Sequence, residues 1–197
     1  TLRWVLRSTL RFAPDGRVIY VGRRANRARV WVGHRPGPGF AGIAQLRLAH
    51  TGRVAYVGRR NGQHHVVVVG RVGPGYDEVR ELRFSPRGRR VGYLARRGKR
   101  WHAVVDGKER AGAAGLRGLT FSDHGRQVAW AAQVGGRARV VLDDRPGPLH
   151  DGVRFATLTF DARGTLLYVA RDRGRYRVVR GGAPGPAYDR IERPTVS

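Results

Sequence analysis

The sequence contains neither cysteine nor methionine, and only two of its 39 basic residues are lysine. Without cysteine the chain forms no disulfide and no thiolate nucleophile, and it cannot hold cysteine-ligated zinc. The N-terminus shows no signal-peptide pattern, and no apolar run approaches the roughly 20 residues that cross a bilayer. Since an initiator methionine is also missing, we expect a mature, processed or trimmed product without a transmembrane segment.

Hydroxyl nucleophiles are scarce as well. The four serines are Ser8, Ser85, Ser122 and Ser197, and none of them lies in a Gly-x-Ser-x-Gly motif. Ser85 and Ser122 occupy one repeated turn position, where a hydroxyl typically bonds the local backbone. The sequence therefore predicts no catalytic residue, and we expect the chain not to be an enzyme.

Metal-ligand patterns are equally weak. The seven histidines include no His-Glu-x-x-His motif. His64 and His65 enter a strand side by side and so point to opposite faces, which favours an exposed turn pair over a shared metal. Acidic residues that flank a Pro-Gly-Pro connection are typical of turn caps. We therefore expect no metal and no cofactor, even at the nearest approach to a ligand cluster: Asp143, Asp144, His150 and Asp151.

Acidic residues are few, and the formal net charge is +25. A field of this sign attracts nucleic acid, anionic membranes and acidic proteins. Of the 39 basic residues, 37 are arginine, and they recur in every part of the chain. This composition is typical of a protein from a GC-rich genome, in which arginine fills ordinary solvent-exposed positions. We favour that interpretation over a dedicated anion-binding role.

Internal repetition is the main positive signal. Five segments share one pattern, in which a leucine is followed two residues later by Phe or Leu and six residues later by Gly. The leading leucines lie 36, 36, 37 and 39 positions apart. The segments are Leu10–Gly16, Leu46–Gly52, Leu82–Gly88, Leu119–Gly125 and Leu158–Gly164.

Each repeat continues with short apolar runs separated by glycine-containing turns. Runs rich in Val, Ile, Tyr and Trp favour strands, and Pro-Gly-Pro segments would break a helix. A fourth run is expected after each Gly/Pro-rich connection, at 40–43, 76–79 and 188–191. The second and third runs are apolar on both faces, so each sheet must be covered on both sides. Stacking five four-stranded antiparallel sheets around a central channel achieves this, and we predict an all-β propeller.

The pattern Leu-x-Phe-Ser/Ala-Pro-Asp-Gly resembles the repeat of bacterial TolB-type propellers, relatives of the WD-repeat family. Leu10–Gly16 carries the fullest copy, and 104–109 resembles the third-strand exit of a bacterial subgroup. The Trp-Asp and Gly-His pairs of true WD repeats are absent. The resemblance implies a binding platform, a partner domain of a peptidase or an assembly protein, and it slightly favours the periplasm or cell envelope.

The ends of the chain leave the closure of the ring open. We expect one domain over 1–197, with repeats at about 8–43, 44–79, 80–116, 117–155 and 156–191. Residues 2–7 read as a fourth-type strand without a repeat before it, while 188–191 read as another after the last repeat. The N-terminal strand can complete the last blade, the chain can be part of a larger propeller, or a second copy can pair with an open edge. We favour a closed five-bladed monomer.

One constellation is a candidate binding site. Arg11, Arg47 and Arg83 occupy the same position of the first strand in successive repeats, where Thr120 and Thr159 follow. Because this strand lies nearest the axis of a propeller, the three arginines are candidates for an anion-binding or partner-binding site near the channel. The alternative, which we weigh more heavily, is that each arginine bonds a carboxylate or carbonyl of the adjacent blade.

Three functions remain in competition. The first is a non-enzymatic scaffold that binds a protein or peptide partner through a basic face or the channel mouth. The second is sequence-tolerant binding of nucleic acid or another polyanion, although the aromatic residues that would stack bases lie mostly inside strand runs. The third is an accessory propeller of a hydrolase whose catalytic domain is absent from this chain. We favour the first.

Overall fold

The computed structural model describes residues 4–110 and 112–191. This part of the chain contains twenty β-strands and no helix, which confirms the all-β prediction. No helix able to cross a membrane is therefore present among these residues. The strands form five sheets of four antiparallel strands each, which we number blade 1 to blade 5 in chain order.

The strand bounds repeat from blade to blade. Blade 1 contains β1 Trp4–Phe12, β2 Val18–Arg24, β3 Arg27–Val32 and β4 Arg35–Pro36. Blade 2 contains β5 Gly42–Leu48, β6 Val54–Arg60, β7 Gln63–Val68 and β8 Arg71–Tyr76. Blade 3 contains β9 Glu78–Phe84, β10 Val91–Arg97, β11 Arg100–Val105 and β12 Lys108–Glu109. Blade 4 contains β13 Gly115–Phe121, β14 Val128–Val134, β15 Arg137–Leu142 and β16 Arg145–Pro146. Blade 5 contains β17 Gly152–Phe160, β18 Leu166–Asp172, β19 Arg175–Arg180 and β20 Ala183–Tyr188.

Every sheet follows the order of the chain, so neighbouring strands are joined by short turns. In blades 1, 2, 4 and 5 the turn between the second and third strands has two residues with positive φ, as at Asn61 (52°) and Gly62 (76°). This geometry matches the right-handed twist of the paired strands, and Asn-Gly adopts it at little cost. The local sequence thus fixes the register of each hairpin.

The blades pack face to face through four buried apolar clusters. Each cluster joins two consecutive blades, from blades 1 and 2 through to blades 4 and 5. The second strands are covered on both faces, as shown by Val91, Tyr93, Leu94 and Ala95, each at most 4 % exposed. The prediction that stacked copies cover the two apolar faces is confirmed. Within residues 4–110 and 112–191, no buried cluster joins blade 5 to blade 1, so the expected ring closure is not seen.

The fourth strand lies earlier in each repeat than the sequence indicated. The structure places it at 35–36 in blade 1, where Pro36 pairs with Trp31. Phe40 instead forms an isolated bridge with Ala28, and Ile43 belongs to β5. The prediction at 40–43 was wrong because the fourth strand includes Pro36, the first residue of the Pro-Gly-Pro segment that was expected to precede it. Proline is tolerated on an edge strand, where its missing N–H breaks no ladder.

The N-terminal segment also differs from the expectation. Trp4–Phe12 is one strand, and it pairs with β2 of its own blade. The alternative in which this segment completes the last blade is therefore wrong, while residues 2 and 3 of the expected strand lie outside the described residues. At the other end, Tyr188 closes β20 and pairs with Tyr176. Each blade is built from one continuous stretch of chain.

A bulge in the first strand connects neighbouring blades. Gln45 and Glu81 occupy the bulge at φ values of 50° and 53°, which turns their side chains out of the ladder. The Gln45 amide donates to the Val79 carbonyl (2.9 Å) and accepts from the Leu82 N–H (3.0 Å). Glu81 accepts from Leu119 N–H at 2.8 Å in the same way. These contacts satisfy backbone groups across two blade interfaces.

Candidate functional site: the basic surface of blades 1 and 2

The three candidate arginines lie where the sequence placed them, on the first strands β1, β5 and β9. Each is exposed and sits at the same register, opposite Ile19, Ala55 and Gly92 respectively. Thr120 and Thr159 take the equivalent places opposite Ala129 and Leu167. The positions are therefore equivalent.

The contacts of these arginines are local or reach the next blade. Arg47 donates through Nε to the Leu82 carbonyl of blade 3 at 3.0 Å, which is the kind of contact that the alternative interpretation describes. Arg83 lies 3.9 Å from a Glu81 carboxylate oxygen of its own strand. Arg11 donates to the Leu10 carbonyl at 2.8 Å. Arg47 and Arg83 thus have partners of their own, and an anion site at the three positions stays a prediction.

A second series of arginines, which the sequence did not single out, fastens one blade to the next. Arg90 donates to the Gly125 and Arg126 carbonyls of blade 4, at 3.2 and 3.0 Å, and to the Asp106 carboxylate at 2.8 Å. Its guanidinium also lies over the Phe121 ring, 5.5 Å from the centroid. Arg53 makes the equivalent contacts with the Gly88 and Arg89 carbonyls. Part of the basic composition therefore has a structural role.

The remaining charge is distributed unevenly along the chain. The first 76 residues contain fourteen arginines and one acidic residue, Asp15. They therefore carry a formal charge of +13 out of the total of +25. The described part of this stretch is blades 1 and 2, and its exposed basic side chains form what we call the basic surface. The even spread of arginine hid this asymmetry, because it arises from the distribution of the acidic residues.

The basic surface contains guanidinium groups that no carboxylate neutralises. Eight of its arginines are exposed in the described part of the chain, and five of these eight have neither a carboxylate nor a side-chain hydrogen-bond partner there. In blades 3 to 5, by contrast, ion pairs are frequent, as between Arg97 and Glu109 at 3.0 Å and between Arg110 and Asp144 at 2.7 Å. Of these five unpaired arginines, Arg24, Arg27 and Arg59 lie at the hairpin end between the second and third strands. Arg35 and Arg71 lie at the opposite end of the blades.

A groove of about 430 Å³ lies between blades 1 and 2. It is at the end of the strands that carries Arg35, opposite the hairpin end that carries Arg24, Arg27 and Arg59. Its walls are apolar, with Val30 and Val54 among them, and Arg17 and Arg35 line it as well. The Tyr56 hydroxyl lies at this groove, buried and without a hydrogen-bond partner among the described residues. Burial raises the pKa of Tyr56 to about 12, so the hydroxyl stays protonated.

The tyrosine equivalent to Tyr56 in blade 5 is satisfied by a histidine. The Tyr168 hydroxyl lies 3.3 Å from Nε2 of the buried His150, and His150 donates through Nδ1 to Asp172 at 2.6 Å. Partial burial acts to raise the pKa of the Asp172 carboxyl, but the hydrogen bonds from His150 and the Asp151 N–H outweigh it and leave this pKa below its ordinary value. Phe40 of blade 1 takes the position that His150 has in blade 4 and lies beside Tyr56, which explains the unpartnered Tyr56 hydroxyl.

The cluster Asp143, Asp144, His150 and Asp151 does not act as one ligand set. Asp143 accepts from the Val128 N–H at 2.9 Å, and Asp151 accepts from the Arg173 N–H at 2.8 Å. These are the turn-capping contacts that the sequence indicated. In residues 4–110 and 112–191, no group of three or more His, Asp or Glu side chains is arranged to hold a metal ion.

The other singled-out residues also have structural partners. Ser85 and Ser122 are buried, and each hydroxyl accepts from a backbone N–H of its own turn at 3.1 Å, as predicted. His64 and His65 are half-buried on β7 and lie near separate carbonyls, of Asp77 and Gly73. The expectation of an exposed pair was wrong, because the strand begins at Gln63 and the fourth strand covers it.

No protein-family model and no curated protein matches the chain. Three of the similar solved structures are TolB from Acinetobacter baumannii (14% identity, TM-score 0.44), a virginiamycin B lyase from Staphylococcus aureus (12%, 0.44) and the dihydro-heme d1 dehydrogenase NirN (14%, 0.48). The matches cover 93%, 91% and 94% of this chain, and 55%, 68% and 47% of those chains. The chain thus spans little more than half the length of TolB.

Similarity at this level concerns the fold alone, and these structures include both enzymes and non-enzymes. The architecture itself carries the assignment. Five sheets of four antiparallel strands follow one another along the chain, and each consecutive pair packs through an apolar cluster. The chain has a β-propeller fold, similar to that of TolB-type structures.

Proposed function

We propose that this chain is a non-enzymatic binding domain that engages an acidic protein or peptide partner through the basic surface of blades 1 and 2. One observation carries the proposal: the first 76 positions contain fourteen arginines and only one acidic residue. Five of these guanidinium groups are exposed and have neither a carboxylate nor a side-chain hydrogen-bond partner in the described residues. A partner that supplies carboxylates would give these arginines the kind of ion pair that nine arginines in the described part of blades 3 to 5 make with their own acidic residues.

Arginine suits this role better than lysine. Its guanidinium offers five donors in a planar fork that matches a carboxylate in a bidentate arrangement. Exposed pairs of this kind contribute about 0.2–1 kcal/mol each, so five of them supply at most about 5 kcal/mol. That corresponds to a Kd no tighter than about 0.2 mM for a simple acidic peptide. Tighter binding would need apolar contacts as well, and the groove between blades 1 and 2 offers them.

The side chains that could do chemistry have other partners, which supports a role without catalysis. Ser85 and Ser122 bond their own turns, and His150 is buried between Asp172 and Tyr168. A nucleophile and a base within hydrogen-bond reach are what acyl or phosphoryl transfer requires. These residues do not provide that arrangement.

The experiment compares two triple variants that remove the same charge from different places. The test variant carries Arg24→Gln, Arg27→Gln and Arg59→Gln on blades 1 and 2. The control carries glutamine at three exposed arginines of blades 4 and 5: Arg126, Arg163 and Arg173. Binding of a fluorescein-labelled poly-glutamate 20-mer is measured by anisotropy at low salt, with the folded state checked by circular dichroism.

We expect the test variant to lose about tenfold in affinity and the control to lose less than about twofold, because nearby charges dominate a screened interaction. Equal losses in both variants would mean that overall charge alone attracts the probe, and the proposal would fail. A labelled dT20 strand that binds much more tightly than the poly-glutamate, with a steep salt dependence, would instead support the polyanion alternative.

A further inference from the structure

The first blade exposes residues whose counterparts are buried or half-buried in every later blade. We call the face that meets the preceding blade the back face, and in blade 1 it carries Leu10 and Phe12. Leu10 is 44 % exposed and Phe12 is 69 % exposed. At the matching positions of later blades the exposure is lower. Four are buried: Leu82 1 %, Leu119 0 %, Leu158 8 % and Phe121 6 %. The other four are half-buried: Leu46, Leu48, Phe84 and Phe160.

The same back face holds an unsatisfied donor. Trp31 lies at the position of Val67, which the cluster between blades 1 and 2 buries. Its indole stacks parallel to Tyr20 with ring centroids 6.1 Å apart. The Trp31 Nε1–H is buried and has no hydrogen-bond partner among the described residues. A buried donor without a partner is costly.

The last blade exposes the complementary face. The front face, which meets the following blade, carries Val178 and Tyr188 in blade 5. They are 37 % and 47 % exposed. The equivalent residues of earlier blades are buried: Val30 2 %, Val66 3 %, Ala103 0 % and Val140 3 % for the valine, and Phe40 0 % and Tyr76 1 % for the tyrosine.

Front-to-back packing is the one interface that this repeat makes. The chain makes this interface four times, each time with an apolar cluster. The two free faces carry residues equivalent to those that pack together at these four interfaces, so they are expected to fit each other. Within a single copy they do not meet, since Phe12 remains largely exposed and no buried cluster joins blades 5 and 1 in the described residues. Apolar faces of this kind mark interaction sites.

We propose that a second copy of this chain packs the front face of its blade 5 onto the back face of blade 1, continuing the stack of blades from one copy to the next. The contact is heterologous, because the two copies contribute different faces. This departs from the closed five-bladed monomer that we favoured from the sequence. It is also independent of the proposed acidic partner, which uses exposed guanidinium groups rather than the end faces.

Salt dependence separates the two proposals. Each copy carries a formal charge of +25, so like charges oppose self-association at low ionic strength. Raising the salt from about 0.1 to 0.5 M shortens the Debye length from about 10 Å to less than half of that, which weakens this repulsion and leaves the apolar contact intact. Self-association should therefore strengthen with salt, whereas binding of an acidic partner should weaken.

The test measures mass by sedimentation velocity on the whole chain over about 5–200 µM at both salt concentrations. We expect species larger than the 21.9 kDa monomer, increasing with concentration and with salt. Phe12→Gln and Val178→Gln each alter one end face without changing the charge, and each should weaken association about tenfold. Val134→Gln, at a residue 40 % exposed away from both end faces, is the matched control and should have no effect.

A mixture of the two variants supplies the sharpest outcome. The Phe12→Gln chain keeps an intact front face and the Val178→Gln chain keeps an intact back face, so mixing them should restore association that neither shows alone. A wild-type chain that stays monomeric throughout would overturn the proposal. So would an effect of Val134→Gln equal to that of the other two, or a mixture no better than its components.

Discussion

Val69 has a backbone conformation that is unfavourable for a β-branched residue. Replacing Val69 by the residue found at the equivalent position of other blades tests quantitatively whether equivalent positions have equivalent energetics. The φ of Val69 is +48°, in the turn between the third and fourth strands. A β-branched residue in this region is an outlier. The equivalent residues are glycine or aspartate, and all have φ between 48° and 59°: Gly33, Asp106, Asp143 and Gly181.

The aspartates at this position do more than tolerate the conformation. Asp143 Oδ1 accepts from the Val128 N–H at 2.9 Å, and Asp106 Oδ1 accepts from the Val91 N–H at the same distance. In blade 2 the corresponding N–H belongs to Val54, so Val69→Asp should place an acceptor beside it. Since Val69 is 61 % exposed, replacing its side chain removes little buried apolar area.

The expected gain can be worked out from these two effects. Relief of the left-handed conformation contributes about 1 kcal/mol, and the new hydrogen bond contributes about another 1 kcal/mol. With a urea m-value of about 2 kcal/mol/M, a gain of about 2 kcal/mol raises the denaturation midpoint by about 1 M. The assay is urea unfolding followed by tryptophan fluorescence and by circular dichroism.

Two further variants control the interpretation. Val69→Asn keeps the acceptor without adding a negative charge, so a similar gain would exclude a general charge effect. Asp143→Val makes the reverse change in blade 4 and should lower the midpoint by about 1 M. If Val69→Asp leaves the midpoint unchanged or lowers it, while Asp143→Val also has no effect, the reasoning from equivalent positions is refuted.

Three other expectations concern the tyrosines and the charged groups. Tyr56→Phe should leave stability unchanged or raise it by about 1 kcal/mol, because it removes a buried hydroxyl without a partner; Tyr168→Phe, which loses the contact with His150, should lower it in the same urea assay. Because the pKa of Asp172 is lowered in the folded state, its contribution to stability is present above the ordinary carboxyl pKa and is lost as the pH falls through the lowered value; Asp172→Asn should therefore flatten acid unfolding in that range. Arg90→Gln, which breaks contacts with two carbonyls of blade 4, should lower the melting temperature by several degrees, about 1–2 kcal/mol, whereas Arg35→Gln at an exposed edge should change it little.

The fold was largely predictable from the sequence because the same pattern of apolar runs and turns occurs five times. Any one of the runs, such as Val54–Val57, is too short to distinguish a strand from a buried helical segment. Five aligned runs with turns at the same places remove that ambiguity. The position of the fourth strand was not predictable in the same way, since Arg35–Pro36 has only two residues and its proline argues against a strand.

The candidate site was less accessible to sequence reasoning, because it depends on what each arginine contacts. Arg47, Arg53 and Arg90 bond carbonyls of the next blade, while Arg24 and Arg59 remain without a carboxylate among the described residues. All five look alike in the sequence. Only the scarcity of acidic residues before Asp77 could have indicated the basic surface, and an even distribution of arginine drew attention away from it.

The strand order within the sheets has a consequence for how such a chain can change. Each sheet is made of four strands that follow one another without interruption, so a cut in the loop between two blades separates intact ladders rather than splitting one. Whole units of about 37 residues could then be duplicated or lost without leaving a strand unpaired inside any sheet. Proteolysis after 77 or after 151 should likewise release fragments that keep every sheet ladder intact and lose the contacts of one blade interface.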